Sequence, residues 1–457
     1  MRFPIEKKLH VHFIGIGGIG MSALAYALAE MGHDVSGSDI REDFYTRSFL
    51  ESVGVKIYTG HSPSHVDGSI DLGVVSTAIS PANPEFREFL RKNIPIVHRS
   101  QILGAFTKAN TTIGITGAHG KTTLTYYIAK ILLDAFIDPS IIIGSTMSEL
   151  SGNNVRVGGE LLVAEIDESD KSLLNTYPDY PVIHSIDIEH MDHYSSYQDI
   201  YDTFLQYGAK TPWWGYTFIN VNYDDLYNMA VSLDNKGVHV IKYGFADSGK
   251  EADYVGFLGD GKLTVVKGGS RLTSFTLRYP TKYNFENALA AFVVTHMLGV
   301  APAVIASALE DAGMPGRRLE YKGAWHGATV LEDYAHHPRE IKALLDGVRQ
   351  MYPGAQVWGV IQPHRYSRVK ALWYDFRDVI SQFDKAFVMP IYPASEKPIE
   401  GITTENLIEG IDSAFYSTWD NIVSNLMQAK HDTNGKVVIV LIGAGDVYKV
   451  WKLLSNE

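Results

Sequence analysis

The chain has no cysteine among its 457 residues. Disulfides, thiolate metal sites and a cysteine nucleophile are excluded, so any bound metal must be held by oxygen or imidazole. No stretch reaches the roughly 18–20 uninterrupted apolar residues that a membrane-spanning helix needs. The N-terminal run MRFPIEKKLHVHFIGIGG is cut by glycines and lacks a small-residue cleavage site, so it reads as a strand entering a turn. Positive charge is also short: 40 Lys and Arg against 52 Asp and Glu leave a net charge of −12. That balance argues against nucleic acid and anionic membranes as partners. Anionic ligands must then be met by local clusters, of which Gly120 with Lys121, Arg317 with Arg318, and residues 362–368 are the candidates. No fixed-period repeat, heptad array or low-complexity segment is visible, which sets aside solenoids and coiled coils.

What is there is a folded α/β chain, expected to be soluble. Its 45% hydrophobic and 20% charged residues fit a globular protein, and roughly 150 residues per domain suggests about three domains. In residues 1–109, HVHFIGI, MSALAYALAEMG and DVSGSD alternate strand and helix patterns, which implies a parallel sheet. LGVVST and IPIVHR add strands, and the polar stretch TKANTT closes the unit. A second unit, residues 110–312, opens with TIGIT, a glycine turn and the helix TTLTYYIAKILLDAF, with strands at SIIIG, ELLVAEI and PVIHSID. Beyond Thr211 the pattern is irregular and aromatic, with the hairpin signal FLGDGKLTVVKGG, until the helix NFENALAAFVVTHML. The third unit, residues 313–457, begins at GMPG. It has two strands around a turn in RRLEYKGAWHGATVLEDYA, then strands at QVWGVI, KAFVMP and KVVIVLIG.

Two glycine loops follow strands. In GIGGIG, Gly15, Gly17 and Gly20 are spaced as GxGxxG, with Gly18 and Ile19 between them. Asp39 ends the next strand 39 − 20 = 19 residues later. Alone this loop is either a tight turn or a dinucleotide site, the latter making the chain an NAD-dependent oxidoreductase. The second loop is Gly117, Ala118, His119, Gly120, Lys121, Thr122 and Thr123. Its amides can cradle phosphates, the Lys121 ammonium can reach the terminal phosphates, and a hydroxyl can bind magnesium. It is shorter than a Walker A loop, with Ile115 where that motif has its first glycine, and an ordinary helix start is the plain alternative. A dehydrogenase would explain only one of the two loops.

Downstream, the strand LLVAEI delivers Glu165, Asp167, Glu168 and Asp170 to one strand end, as a magnesium site facing Lys121 and Thr122 or as a solvated acidic turn. SIDIEHMDHY gathers Asp187, Glu189, His190, Asp192 and His193, a set suited to a hard or borderline divalent ion. LEDYAHHPREI places Asp333, His336 and His337 before a helix expected to begin at Pro338. QPHRYSR supplies His364, Arg365 and Arg368, which suit a carboxylate or phosphate held in a bidentate fork, or form a solvated basic loop.

Taken in order, GIGGIGMS, VVSTAISPANPE, GAHGKTT, AEIDESD, EHMDHY, YNFENALAA, GRRLE, DYAHHPREI, QPHRYSR and IGAGDV resemble the Mur ligase family from Val11 to Tyr448. The resemblance implies an N-terminal Rossmann-like domain for a UDP substrate, a central P-loop ATPase-type domain and a C-terminal Rossmann-like domain. It implies a cytoplasmic, ATP-dependent amide-bond ligase acting on UDP-N-acetylmuramate and L-alanine in peptidoglycan precursor synthesis, as monomer or homodimer. A ligase that recycles whole murein peptides onto the same sugar nucleotide is the near alternative within the family, and a nucleotide-binding scaffold without turnover is the alternative outside it. The implied cofactors are ATP and Mg2+, with Mn2+ as a substitute. The first loop then meets the UDP diphosphate, with Ser38, Asp39 and His61 as substrate contacts. Lys121 binds the terminal phosphates; Thr122, Glu165 and His190 hold the metal; Asn284 and Asn287 resemble adenine-binding asparagines. Arg318, Asp333 and His336 look like residues that engage ATP on domain closure, and Tyr334, His364, Arg365 and Arg368 like a substrate-side cluster. The pattern departs from the family at Ala118, Leu124 and Tyr283 and within SIDIEH.

Overall fold

The computed structural model describes residues 1–187, 193–394 and 396–455. Glu189, His190 and Asp192 of the expected metal set lie outside the described residues. The chain forms three sheets, divided between two compact units: residues 1–278 with 283–315, and residues 279–282 with 316–457.

The first sheet comprises β1 (His10–Ile14), β2 (Asp34–Asp39), β3 (Lys56–Thr59), β4 (Leu72–Val75) and β5 (Ile96–His98), in the order β3-β2-β1-β4-β5. All its pairings are parallel. Parallel strands need helical crossovers, and Ile19–Glu30, with Met21, Leu24, Ala25 and Leu28 buried, supplies the first. TKANTT is not a polar connector. The helix Arg99–Ala109 runs through its first half, and only Asn110 separates that helix from the next sheet. Asn110 is buried and bridges Arg2 and Phe106, so its polarity satisfies backbone rather than water.

The second sheet has ten strands: β6 (Thr111–Thr116), β7 (Ser140–Ile142), β8 (Val155–Arg156), β9 (Leu161–Glu165), β10 (Tyr180–Ile183), β11 (Thr217–Asn220), β12 (Val240–Phe245), β13 (Tyr254–Gly259), β14 (Lys262–Lys267) and β15 (Ser270–Phe275). Their order is β15-β14-β13-β12-β11-β10-β6-β9-β7-β8. The segment after Thr211 is more regular than its sequence suggests. β11, the helix Asp224–Asp234 and β12 continue the parallel wind before the β13–β14 hairpin turns it antiparallel. β11 was hidden because its four residues are all buried and so show no alternation. One core packs Ile113, Ile115, Ile128 and Phe292 on one face of this sheet. Another joins Phe13 and Leu24 of the first domain to Leu162, Ile183 and Phe204 on the other.

The second unit holds β16 (Glu320–Trp325), β17 (Ala328–Asp333), β18 (Gln356–Ile361), β19 (Lys385–Val388), β20 (Ala414–Tyr416) and β21 (Val437–Ile442), in the order β16-β17-β21-β18-β19-β20. β16 and β17 form the expected hairpin and the rest pair in parallel. The helix Pro338–Met351 begins at the proline, with His337 as its cap and Glu340 closing a capping box. The short strands β3, β8 and β20 were not legible in the sequence.

Candidate active site

Each cluster stands at the carboxyl edge of its sheet. β1 is flanked by β2 and β4, so the strand order reverses where GIGGIG leaves the sheet, and the crossovers part to leave a crevice. Gly15 and Ile16 donate their amides to the Ser38 carbonyl at 2.8 and 3.0 Å. The helix after the loop starts from Gly18 with no side-chain cap, which leaves its positive end for an anion. Asp39 accepts from Gly17 N at 2.9 Å, and its other oxygen takes the Arg41 amide and Nε. The expected substrate contact thus shapes the loop from within. A Cβ on Gly17 would lie 2.7 Å from Asp39 Oδ2, so glycine is required there. Ser38 Oγ lies 2.9 Å from His61 Nδ1.

The second loop leaves β6 between β9 and β10, at another reversal. Those two neighbours explain the site. β10 leads to Ser185, whose carbonyl accepts from Ala118 N at 3.0 Å and whose Oγ accepts from His119 N at 2.8 Å. β9 ends in Glu165, which accepts from Thr122 Oγ1 at 3.0 Å and from Gly144 N at 2.7 Å, and leads to Glu168, 2.9 Å from Lys121 Nζ. Burial opposes the Lys121 charge, but Glu168 outweighs it through charge and hydrogen bond, and the ammonium pKa is raised. Gly120 caps the helix Lys121–Asp134 at φ +80°, and a Cβ there would meet Asn287 Oδ1 and His184. Asn287 therefore lines the loop. Asn284 Nδ2 is 3.9 Å from Met314 Sδ. Burial lowers the pKa of His184, which bonds Tyr243 Oη at 2.9 Å.

Three contributors escaped the sequence reading. Ser185 splints the loop, and Glu286 gathers Asn220, Asn222 and Tyr223 beneath it. Arg99, the first residue of its helix, pairs with Asp167 at 2.5 Å and lies 3.7 Å from where a Gly20 Cβ would be, so it stands between the first loop and the acidic end of β9. Burial resists ionisation of Asp167, yet Arg99 and the Ser169 amide hold its pKa at about 2. An arginine at the end of a parallel strand was the available signal.

In the second unit, β17, β21 and β18 are adjacent and their ends converge. Asp333 is buried and accepts from the amides of Leu319 at 2.9 Å and Ala335 at 2.8 Å. Burial raises its pKa, against the nearby Arg318. The Arg317 guanidinium stacks 4.8 Å from the Tyr334 ring and bonds Glu332 and the Gly443 carbonyl. His336 lies edge-on to His364 at 5.9 Å, and Arg368 reaches His364 Nδ1 at 3.4 Å. Burial lowers the pKa of His336 to about 4; burial, His336 and Arg368 together lower that of His364 to about 3. Arg317, Leu319 and Arg365 adopt positive φ of 57°, 45° and 68°. Three strained non-glycine residues in one site mark a constellation held by its surroundings.

Among the described residues no group of three or more His, Asp or Glu side chains is arranged to hold a metal. The Thr122 hydroxyl beside the Glu165 carboxylate is the oxygen pair that fits a hard cation. None of the described helices is long and apolar enough to cross a membrane.

Two parallel-sheet switch points, one with a lysine-bearing phosphate loop and an acidic neighbour, define a nucleotide-using α/β protein of three domains. Comparison with known proteins gives the family. "Mur ligase family, catalytic domain" matches residues 10–111, "Mur ligase middle domain" residues 115–295, and "Mur ligase, glutamate ligase domain" residues 317–445. The UDP-N-acetylmuramate–L-alanine ligase of Aquifex aeolicus is 39% identical over 447 residues, covering 97% of this chain and 96% of that protein. The protein of the same name from Dictyoglomus turgidum is 39% identical over 450 residues, with the same coverage. The crystal structure of UDP-N-acetylmuramate-alanine ligase from Thermotoga maritima superposes with a TM-score of 0.81 at 24% identity, covering 98% of both chains. A murein peptide ligase from Psychrobacter arcticus gives 0.73 at 21% identity, again with 98% of both. The chain belongs to the Mur ligase family.

Proposed function

We propose that this protein joins L-alanine to UDP-N-acetylmuramate at the expense of ATP, in the cytoplasm, as a step of peptidoglycan precursor synthesis. The observation that carries this reading is the pair of glycine loops, each at the switch point of its own sheet within one unit. An oxidoreductase has no use for the second loop. The full-length identity to alanine-adding ligases supports the amino acid and the sugar nucleotide, whereas the likeness to a murein peptide ligase is one of fold.

In this reading residues 1–109 hold the sugar nucleotide, residues 110–312 hold ATP, and residues 313–457 complete the ligase. The loop Gly15–Gly20 receives the UDP diphosphate, and Ser38, Asp39 and His61 serve as contacts for the rest of the sugar nucleotide. The loop Gly117–Thr123 cradles the ATP phosphates, Lys121 neutralises the terminal ones, and Asn284 and Asn287 take the adenine. Thr122 and Glu165, with His190, would hold Mg2+, which supplies charge neutralisation on the phosphates when bound. Arg318, Asp333 and His336 serve ATP; Tyr334, His364, Arg365 and Arg368 serve the acceptor substrate.

The muramoyl carboxylate attacks the γ-phosphorus, releasing ADP and forming an acyl phosphate. The alanine amine then adds to the acyl carbon and phosphate leaves. No side-chain nucleophile is needed. Two anions that repel must be aligned and screened, which fixed cations and loop amides do without reorganising. Phosphate release should require UDP-N-acetylmuramate, L-alanine, ATP and Mg2+ together. Release indifferent to the amino acid would overturn the assignment.

A further inference from the structure

Glu85, on the helix Pro84–Arg91, is fully buried. A carboxylate so placed is costly unless its lone pairs are engaged, and they are. Oε2 accepts from Ser38 Oγ at 2.5 Å and faces His12 Nε2 at 3.4 Å; Oε1 accepts from His65 Nδ1 at 2.7 Å and the Ser62 amide at 3.1 Å. Burial opposes its ionisation, but the hydrogen bonds from His12, Ser38 and His65 hold its pKa at about 2. Glu85 is therefore an acceptor only.

A hydrogen count then fixes its neighbour. Ser38 has one hydroxyl hydrogen and gives it to Glu85, so its 2.9 Å contact with His61 Nδ1 is a donation from the imidazole. Neutral His61 carries its proton on Nδ1 and leaves Nε2 as a bare acceptor. His61 follows β3 by two residues, at the carboxyl edge shared with the loop Gly15–Gly20, and its side chain keeps 15% exposure.

We propose that Glu85 is a positioning residue: through Ser38 it locks His61 in the Nδ1–H tautomer, so that Nε2 presents a hydrogen-bond acceptor to an N–H or O–H donor of the sugar nucleotide. This rests on the first domain being the sugar-nucleotide site. No sequence motif marks the relay, because its members come from β2, the β3 end and a helix 47 residues beyond Ser38.

The test uses the full chain. Long-range nitrogen–proton spectra of histidine-labelled protein should show His61 protonated on Nδ1 alone, with tautomers mixed in Glu85→Gln and Ser38→Ala. Calorimetric titration with UDP, without ATP, should show binding about tenfold weaker in both variants, the loss of one well-placed hydrogen bond. In Glu85→Gln the KM for the sugar nucleotide should rise while kcat and the KM for ATP hold, a split that a general loss of structure would not produce. Discrimination against 3-methyl-UDP by the wild type, lost in Glu85→Gln, assigns the imide N–H as donor; equal binding of UDP and 3-methyl-UDP assigns a ribose hydroxyl. A wild-type His61 protonated on Nε2 alone, or unchanged UDP affinity in both variants, overturns the proposal. Failure of the wild type to bind UDP would overturn the sugar-nucleotide reading instead.

Discussion

Gly120→Ala tests the junction of the phosphate loop with the helix Lys282–Met297. Gly120 sits at φ +80° and ψ −11°, a left-handed conformation that costs a residue with a Cβ about 1–2 kcal/mol. The added carbon would also stand 2.5 Å from Asn287 Oδ1 and 3.0 Å from His184 Cδ2. Relieving such overpacking costs about 1–3 kcal/mol more, for about 2–5 kcal/mol in all. Gly249→Ala is the control, since Gly249 has a similar φ of +65° with nothing within 4 Å of its would-be Cβ. The two variants share the backbone strain, so their difference reports the clash alone, about 1–3 kcal/mol. Urea unfolding of both, read by tryptophan fluorescence, gives that difference. Because the displaced group is the candidate adenine asparagine, phosphate-release kinetics of Gly120→Ala should show a raised KM for ATP at unchanged KM for the sugar nucleotide. Equal stability of the two variants, with an unaltered KM for ATP, would refute both the packing and the assignment of Asn287.

Lys121→Ala should lower phosphate release about 10²–10³-fold or more. It should also destabilise the chain, because the buried Glu168 loses the Lys121 ammonium; adding Glu168→Gln should restore the melting temperature but not turnover, and a variant that keeps turnover would show the lysine misassigned. His336 and His364 are neutral when folded down to about pH 4 and about pH 3, against an ordinary value of 6.5. Their contribution is thus fully present above pH 6.5 and lost as pH falls from there toward 4 and 3, since the unfolded chain binds the protons first. Melting temperature should drop between pH 7 and 5, less so in His364→Asn; a drop of equal size in that variant would count against the buried-imidazole explanation.

Much of the architecture was legible because it is local. Strand-then-glycine-then-helix is a short-range pattern, so both loops, the Asp333–His336 and His364–Arg368 clusters, and the proline-started helix stood out in the chain itself. Strands of three or four residues, such as Lys56–Thr59 and Ala414–Tyr416, are too short for a period to register. The helix through TKA was hidden by polar residues that satisfy backbone at its end.

What the sequence by itself determined was which chemical groups are present: two phosphate-type turns, Lys121 at the end of the second, acidic strand ends and no thiol. Only the tertiary structure decided which of those groups meet. Parallel strand order places β9 and β10 on either side of β6, and so brings Glu165, Glu168 and Ser185 to the loop from 43 to 66 residues away. The same long-range closure sets Arg99 beside Asp167 and buries Glu85 beside His61. Side-chain pairing across such distances follows from sheet topology and burial, which no local pattern encodes.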